Sequence, residues 1–214
     1  MKIKGFKDTI DWYDKNAENY ANAVKNNASI DSLQEFVSLL PKKAIVLDAG
    51  CGGGRDSNIL NTFGLKVIGL DISRGLLNIA KKKFPLIKFV HGDLRKLPFN
   101  NNFLNGIWSH ASLVHLESQK DVSKVLLEFH RVLKNSGLIH ILVKAQSGKE
   151  KTAIVKDKLS NHERFFQYFS QTELKLLLIK AQFQILKIEQ YNESQKRKGG
   201  RGEVEWILVL ARKI

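Results

Sequence analysis

Cysteine and methionine each occur once in this 214-residue chain, and proline three times. A lone cysteine, Cys51, cannot close an intrachain disulfide, so the core must form without staples and a reducing cytosol is the expected setting. No stretch reaches the roughly 18 consecutive apolar residues of a membrane span. The amino-terminal MKIKGFKDTIDWYDKN also lacks the apolar centre of a secretory signal. Together these absences predict a cytoplasmic, untethered protein. The six histidines and the cysteine show no metal-ligand spacing, so no metal is expected. Acidic residues are in deficit, 21 against 35 Lys and Arg, which leaves a formal charge of +14. Such a surface attracts nucleic acid or acidic partners. Yet 27 of the cations are lysines scattered along the chain, the mark of an ordinary solvated surface rather than a dedicated nucleic-acid face.

What is present is a regular alternation. Apolar, β-branched runs recur at 44–49, 66–70, 87–90, 103–109, 138–143, 183–188 and 204–211, with helical patterns between most of them. Leu33, Phe36, Val37 and Leu40 keep helical spacing, and Pro41 stops that helix. Val122, Val125, Leu126, Phe129, Val132 and Leu133 repeat the pattern, with Ser118 and Asp121 as its cap and Asn135-Ser-Gly137 as its stop. Leu174, Leu177, Leu178 and Ala181 form a third stripe, capped by Ser170 with Glu173. Strand–helix alternation requires crossover connections, hence an α/β fold with a parallel sheet and helices on both faces. Only 192–202, without a helical pattern, joins the last two strands, so these should pair antiparallel. Residues 146–170 have no clean period and read as an insertion after the fifth strand within one domain, 1–214.

The chemistry concentrates in Val46-Leu-Asp-Ala-Gly-Cys-Gly-Gly-Gly-Arg-Asp-Ser57, where four glycines fill five positions directly after a strand. Open α/β sheets bind ligands at the carboxyl ends of their strands, which places a site here. A dinucleotide loop needs G-x-G-x-x-G, but Arg55 stands where the third glycine belongs. Asp48, two residues before the first glycine, repels a pyrophosphate and welcomes a cation. No G-K-[ST] follows, so a P-loop is excluded. A ligand carrying an ammonium and a sulfonium suits the acidic residue.

These residues resemble motif I of the class I S-adenosylmethionine-dependent methyltransferases. Ile68-Gly-Leu-Asp71-Ile-Ser resembles the family's second-strand motif, and His91-Gly-Asp93-Leu-Arg-Lys-Leu-Pro-Phe99 its third. Ile107-Trp-Ser-His-Ala-Ser-Leu-Val-His115 resembles the fourth, and Arg131-Val-Leu-Lys-Asn-Ser-Gly-Leu138 the turn into strand five. Five motifs in order, over most of the chain, carry more weight than any one. The resemblance implies a Rossmann-like, doubly wound seven-stranded sheet in the order 3-2-1-4-5-7-6, with an antiparallel C-terminal strand. It implies S-adenosylmethionine as cofactor and S-adenosylhomocysteine as product. Gly50, Cys51 and Gly52 would let the backbone approach the ligand, Cys51 as a small filler rather than a nucleophile. Asp48 is expected near its ammonium, Asp71 on the ribose hydroxyls, Ile72 against the adenine, Asp93 on the adenine amino group and Leu94 on the other side. Ser109 would offer its backbone carbonyl to the methionine amine. Two roles stay open for Arg55: a contact to the cofactor carboxylate or substrate, or membership of a polar cluster at the helix start with Asp56.

Residues 1–43 resemble the covering helices of small-molecule methyltransferases, with Tyr13 and Tyr20 closing over the ligands or simply packing in the core. The aromatic segment His162-Glu-Arg-Phe-Phe-Gln-Tyr-Phe169 is a candidate second lid, with Phe165 and Tyr168 on the acceptor, and Arg201 in the basic stretch Lys196–Arg201 is a further substrate candidate. His110 and His115 are candidate general bases, needed only for a protonated acceptor. The leading expectation is methyl transfer to a small molecule. The alternatives are a tRNA or rRNA methyltransferase using the basic surface, or a protein that binds S-adenosylmethionine without catalysis. The N-P-P-[YF] signature of base-amino methyltransferases is missing, because strand four ends Trp108-Ser-His-Ala. Sequence leaves the oligomeric state open.

Overall fold

In chain order, the computed structural model, which describes residues 5–156, 163–196 and 202–214, comprises helices α1 (Phe6–Lys15), α2 (Ala17–Ala23) and α3 (Ile30–Ser38), then β1 (Ile45–Ala49), α4 (Arg55–Thr62), β2 (Lys66–Asp71), α5 (Arg74–Lys83), β3 (Lys88–His91) and β4 (Leu104–His110). A 3-10 turn (Leu113–His115) leads to α6 (Gln119–Val132) and β5 (Leu133–Lys144). The hairpin β6 (Thr152–Lys156) and β7 (Glu163–Gln167) follows, then α7 (Gln171–Lys180), β8 (Phe183–Asn192), the one-turn α8 (Glu193–Lys196) and β9 (Glu205–Lys213).

Seven strands form one sheet in the order β3-β2-β1-β4-β5-β9-β8. Counted within that sheet, this is the expected 3-2-1-4-5-7-6. β9 alone runs against its neighbours: it pairs antiparallel with both β5 and β8. Strand order reverses between β1 and β4, which are paired in parallel. A crevice therefore opens at the carboxyl ends of these two strands. Because β9 is reversed, its first residues arrive at that same edge: Trp206 pairs with Lys144 of β5 and with Tyr191 of β8.

Both faces of the sheet are covered. Leu126, Phe129 and Val132 of α6 pack on one side with Leu174 and Leu178 of α7, all fully buried. Phe36 of α3 and Leu60 of α4 pack on the other with Val46 and Trp108. Ser118 caps α6 by accepting from the Asp121 amide, and Ser170 with Glu173 makes a reciprocal capping box on α7, as their spacing predicts.

Two features differ from the sequence reading. α6 ends at Val132, before Asn135-Ser-Gly137, because Leu133 already lies opposite Leu104 of β4. The pairing then jumps to Gly106 with Leu138, so the Asn–Ser–Gly stretch is a bulge in β5, with Ser136 at φ 62°. The aperiodic insertion contains the antiparallel hairpin β6–β7, in which Ala153 pairs with Phe166. Among the described residues no helix is long and apolar enough to cross a membrane.

Gly69 in β2 shows how tightly the sheet is packed beneath the glycine stretch. A Cβ there would lie 2.5 Å from Phe89 Cδ1 and 3.0 Å from Cys51 Sγ. Gly69→Ala is expected to lower stability by about 1–3 kcal/mol through overpacking, read as a reduced urea midpoint at unchanged slope.

Candidate active site

The turn after β1 has left-handed backbone at Gly50, Gly52 and Gly54, with φ 81°, 53° and 83°, which side chains rarely tolerate. Its amides are anchored to the end of β2. Gly50 N and Cys51 N donate to the Leu70 carbonyl at 2.8 and 3.0 Å, and Gly52 N donates to Asp71 Oδ2 at 2.7 Å. Ser73 N donates to the other Asp71 oxygen at 2.8 Å. Each oxygen keeps a further lone pair for a ligand. Burial pushes the Asp71 carboxyl above its ordinary value.

Below the turn, Ser57 Oγ donates to Asp48 Oδ2 at 2.6 Å. Burial, reinforced by nearby Asp56, holds the Asp48 pKa up at about 7. Arg55 forks onto Asp56, Nε to Oδ1 at 2.6 Å and NH2 to Oδ2 at 2.9 Å, and its NH1 donates to the Val24 carbonyl at 3.0 Å. Trp108 Nε1 donates to the same carboxylate at 3.1 Å. Burial alone would raise the Asp56 pKa, but Arg55 wins and holds it below the ordinary range. Arg55 thus joins the start of α4 to the end of α2 while still lining the crevice.

The crevice is a cavity of about 730 Å³ that crosses the carboxyl edge of the sheet. One half is lined by Gly50 and Gly52 after β1, Asp71 and Ile72 after β2, and Asp93 and Leu94 after β3. Arg95 holds Asp93 in a fork, with NH2 to Oδ2 at 2.7 Å, and this keeps the carboxyl low despite its partial burial. Asp48 and Cys51 face a smaller adjoining space of about 260 Å³, which shares Tyr20, Gly50, Gly52, Arg55 and His110 with the larger one.

The other half lies over β4, β5, β9 and β8, roofed by α1 and β7. His110 stacks on Trp108, with ring centroids 5.4 Å apart, and burial lowers its pKa to about 4. Its Nδ1 is buried with no hydrogen-bond partner among the described residues. His115 is differently placed. Its Nδ1 lies 2.8 Å from the Phe165 carbonyl, which can only accept, so Nδ1 carries the proton. Burial keeps this imidazole neutral, with a pKa of about 4. Its Nε2 therefore accepts from Tyr13 OH at 2.9 Å, and Tyr13 in turn accepts from Arg164 NH1 at 2.9 Å. The relay Arg164–Tyr13–His115–Phe165 ties α1, the turn after β4 and the β6–β7 hairpin together. Phe165 N adds a bond to Thr9 Oγ1 at 3.1 Å. The Arg164 guanidinium sits among four rings, 4.7 Å from Trp12, 5.6 Å from Tyr13, 5.7 Å from Tyr20 and 5.4 Å from Phe166.

Three expectations need correction. Phe165 is not on the cavity wall, because strand residues alternate in direction, so Arg164 and Phe166 face inward with Tyr168. Ser109 is fully buried, its hydroxyl 2.7 Å from that of Ser112, and the wall at the end of β4 is formed by His110, Ala111 and Ser112. His115 has both ring nitrogens engaged, so the geometry gives it a positioning contact instead of a vacant proton acceptor. Arg201 lies outside the described residues. Arg164, Phe166, Lys144 and Trp206 escaped the sequence reading, although period-two alternation in β7 was a signal for the first two.

Two outcomes follow from these contacts. Asp48 titrates higher folded than unfolded, where its value is 3.8, so its contribution is intact below about pH 4 and is lost as pH rises toward 7. Asp48→Asn should therefore be more stable than the native chain at pH 8, with the gain vanishing at pH 4, as followed by chemical denaturation. Tyr13→Phe leaves His115 Nε2 buried without a donor and should cost about 1–3 kcal/mol in the same assay.

With this geometry in view, a family model described as a methyltransferase domain matches residues 47–141. A malonyl-[acyl-carrier protein] O-methyltransferase of Hamiltonella defensa is 30% identical over 133 residues, 62% of this chain and 50% of that protein. An uncharacterized protein of Methanocaldococcus jannaschii is 31% identical over 169 residues, 75% of this chain and 69% of that one. The chain spans half or less of the first curated relatives it matches. Among solved structures, the Burkholderia thailandensis 1,6-didemethyltoxoflavin-N1-methyltransferase, with 1,6-didemethyltoxoflavin and S-adenosylhomocysteine bound, superposes with a TM-score of 0.70 at 20% identity, covering 95% of this chain and 86% of that one. At that identity the likeness speaks for the fold. Matched motifs, sheet order and relatives agree: this chain belongs to the class I S-adenosylmethionine-dependent methyltransferases.

Proposed function

We propose that the protein transfers a methyl group from S-adenosylmethionine to a small-molecule acceptor held in the half of the cavity over β4, β5 and β9. The observation that carries this reading is the meeting of Gly50, Asp71 and Asp93 in one cavity with space beyond them for a second molecule. The donor set fits the cofactor's charge. Asp71 and Asp93 line the half of the cavity beside the turn and Asp48 faces the adjoining space, an arrangement that suits a cationic ligand better than a pyrophosphate. A side chain at Gly50 would run into Cβ of Ser112, so this part of the cradle accepts only bare backbone.

When bound, the cofactor supplies a methyl group already activated on a sulfonium. Asp71 would accept from the ribose hydroxyls, Asp93 from the adenine amino group, and Ile72 and Leu94 would flank the ring. Asp48 would act from beneath the turn, favouring the ammonium end. The protein's remaining task is proximity and exclusion of water. Tyr13 and Tyr20, packed edge to face at 4.9 Å, would close that side as a lid together with the β6–β7 hairpin. His110, which lines the cavity and is held neutral by burial, is the group that would take a proton from a protonated acceptor.

Incubation with methyl-labelled S-adenosylmethionine and host extract is expected to label the small-molecule fraction. Label in RNA would point to the nucleic-acid alternative. Cofactor binding without label would point to a protein that only binds. Asp71→Ala should weaken binding of S-adenosylhomocysteine about 10- to 100-fold, measured by calorimetry, as expected for a lost charge-assisted contact.

A further inference from the structure

We propose that Arg95 is a positioning residue for the nucleobase end of the cavity: its fork leaves Asp93 able to accept from one further N–H donor, and so makes that end select a purine carrying an amino group. The inference rests on the reading of Asp93 as the partner of the adenine amino group.

Asp93 follows β3 and lines the cavity between Gly92 and Leu94. Its Oδ1 accepts from the Arg95 amide at 2.8 Å and from Nε at 3.1 Å, and its Oδ2 accepts from Nε at 3.0 Å and from NH2 at 2.7 Å. An ionised carboxylate offers about four lone-pair sites. Three N–H groups of one residue therefore occupy most of them, with Nε–H shared between the two oxygens. What is left suits one more donor, and an ionised carboxylate has no proton to give to an acceptor. Partial burial raises the carboxyl, but Arg95 outweighs it and holds Asp93 ionised, below its ordinary range. The residue that orients Asp93 thus also fixes which kind of partner it can take.

Arg95 is itself held by elements outside its own loop. Its guanidinium lies 4.7 Å from the ring centroid of Phe6 in α1, and its NH1 stands 3.6 Å from Asp121 Oδ1 in α6. Phe6 N donates to Glu117 Oε1 at 2.6 Å, and Asp121 Oδ2 accepts from Ser118 Oγ at 3.0 Å. The nucleobase end, the start of α1 and the start of α6 therefore share one side chain. The Arg95 and Asp93 side chains remain 28% and 31% exposed. An ion pair so open to water adds little to stability, so orientation accounts for this fork better than stability does. Without it, a carboxylate at this depth could turn toward solvent. A planar guanidinium can hold both oxygens at once, which a lysine cannot do.

The test measures, by calorimetry on the full chain, the affinity of S-adenosylhomocysteine and of its purine analogue with hydrogen in place of the 6-amino group. The native chain should prefer the amino compound about 10- to 100-fold. Arg95→Gln should cut that preference to about three-fold or less, mainly by weakening the amino compound. Arg95→Lys, which restores the charge but not the fork, should recover little of it. A general loosening of the site would weaken both ligands alike and leave their ratio intact. The ratio therefore separates positioning from a purely structural role, with circular dichroism checking the fold of each variant. An unchanged ratio in Arg95→Gln, or full recovery in Arg95→Lys, would overturn the inference while leaving the cofactor reading in place. A native chain that binds both compounds equally would do the same. A native chain that binds neither would reject the cofactor reading, and the inference with it.

Discussion

The attachment of the glycine turn to the end of β2 is the contact on which the rest of the site depends. Three consecutive amides, from Gly50 to Gly52, point at the Leu70 carbonyl and the Asp71 carboxylate, and this fixes the turn against its neighbour in the sheet. The same carboxylate is oriented by Ser73 N, which begins the approach to α5. Asp71 therefore shapes the cradle and lines the cavity at once. Because the turn ends in Gly54 at the start of α4, its position also sets where Arg55 and Asp56 fall, and through Arg55 the end of α2. A chain of short, mostly buried polar contacts thus links the sheet to the helices that cover its edge.

A second network closes the far side. Thr9, Tyr13, His115, Arg164 and Phe165 come from three segments as far as 156 residues apart and meet through side-chain and backbone bonds. Their buried imidazole is satisfied at both nitrogens, which is why its low pKa carries no penalty at neutral pH: the neutral form is the one the geometry needs. His110 contrasts with it in the same cavity, with equal depression of pKa but an idle Nδ1 among the described residues. Environment, not residue type, separates the two.

The strands and the cap residues were legible because each depends on local pattern, whereas the sheet order was available only through the family resemblance. Continuous apolar, β-branched runs mark the strands, helical spacing marks α3, α6 and α7, and Ser170 with Glu173 announces a helix start. The three carboxylates Asp48, Asp71 and Asp93 were legible because strand ends in such a sheet converge by topology. The side over β5, β9 and β8 was harder. Phe165 looked equivalent to Phe166 until strand direction chose between them. Lys144 and Trp206 lie 62 positions apart and become neighbours only through antiparallel pairing. Ser109 failed for a different reason: the chain turns at Ala111, φ 58°, which brings the following residues rather than the serine to the surface of the cavity. Likewise, the helix stop assigned to Asn135–Gly137 lost to the pairing of Leu133 with Leu104, a long-range contact that overrides local turn chemistry.

The reversed direction of β9 has a consequence for how such a chain diversifies. The half of the cavity over β1 to β3 hangs on tight turns whose amides are already committed, so insertions there would dislodge the sheet. The half over β5, β9 and β8 is walled by two hairpins, β6–β7 and β8–β9, held by their own strand pairing. Hairpin tips can lengthen, shorten or exchange side chains without shifting the register of Leu138 to Lys144 against β9. One end of the cavity is thereby tied to the sheet by committed backbone, and the other is walled by elements that can change length without disturbing it.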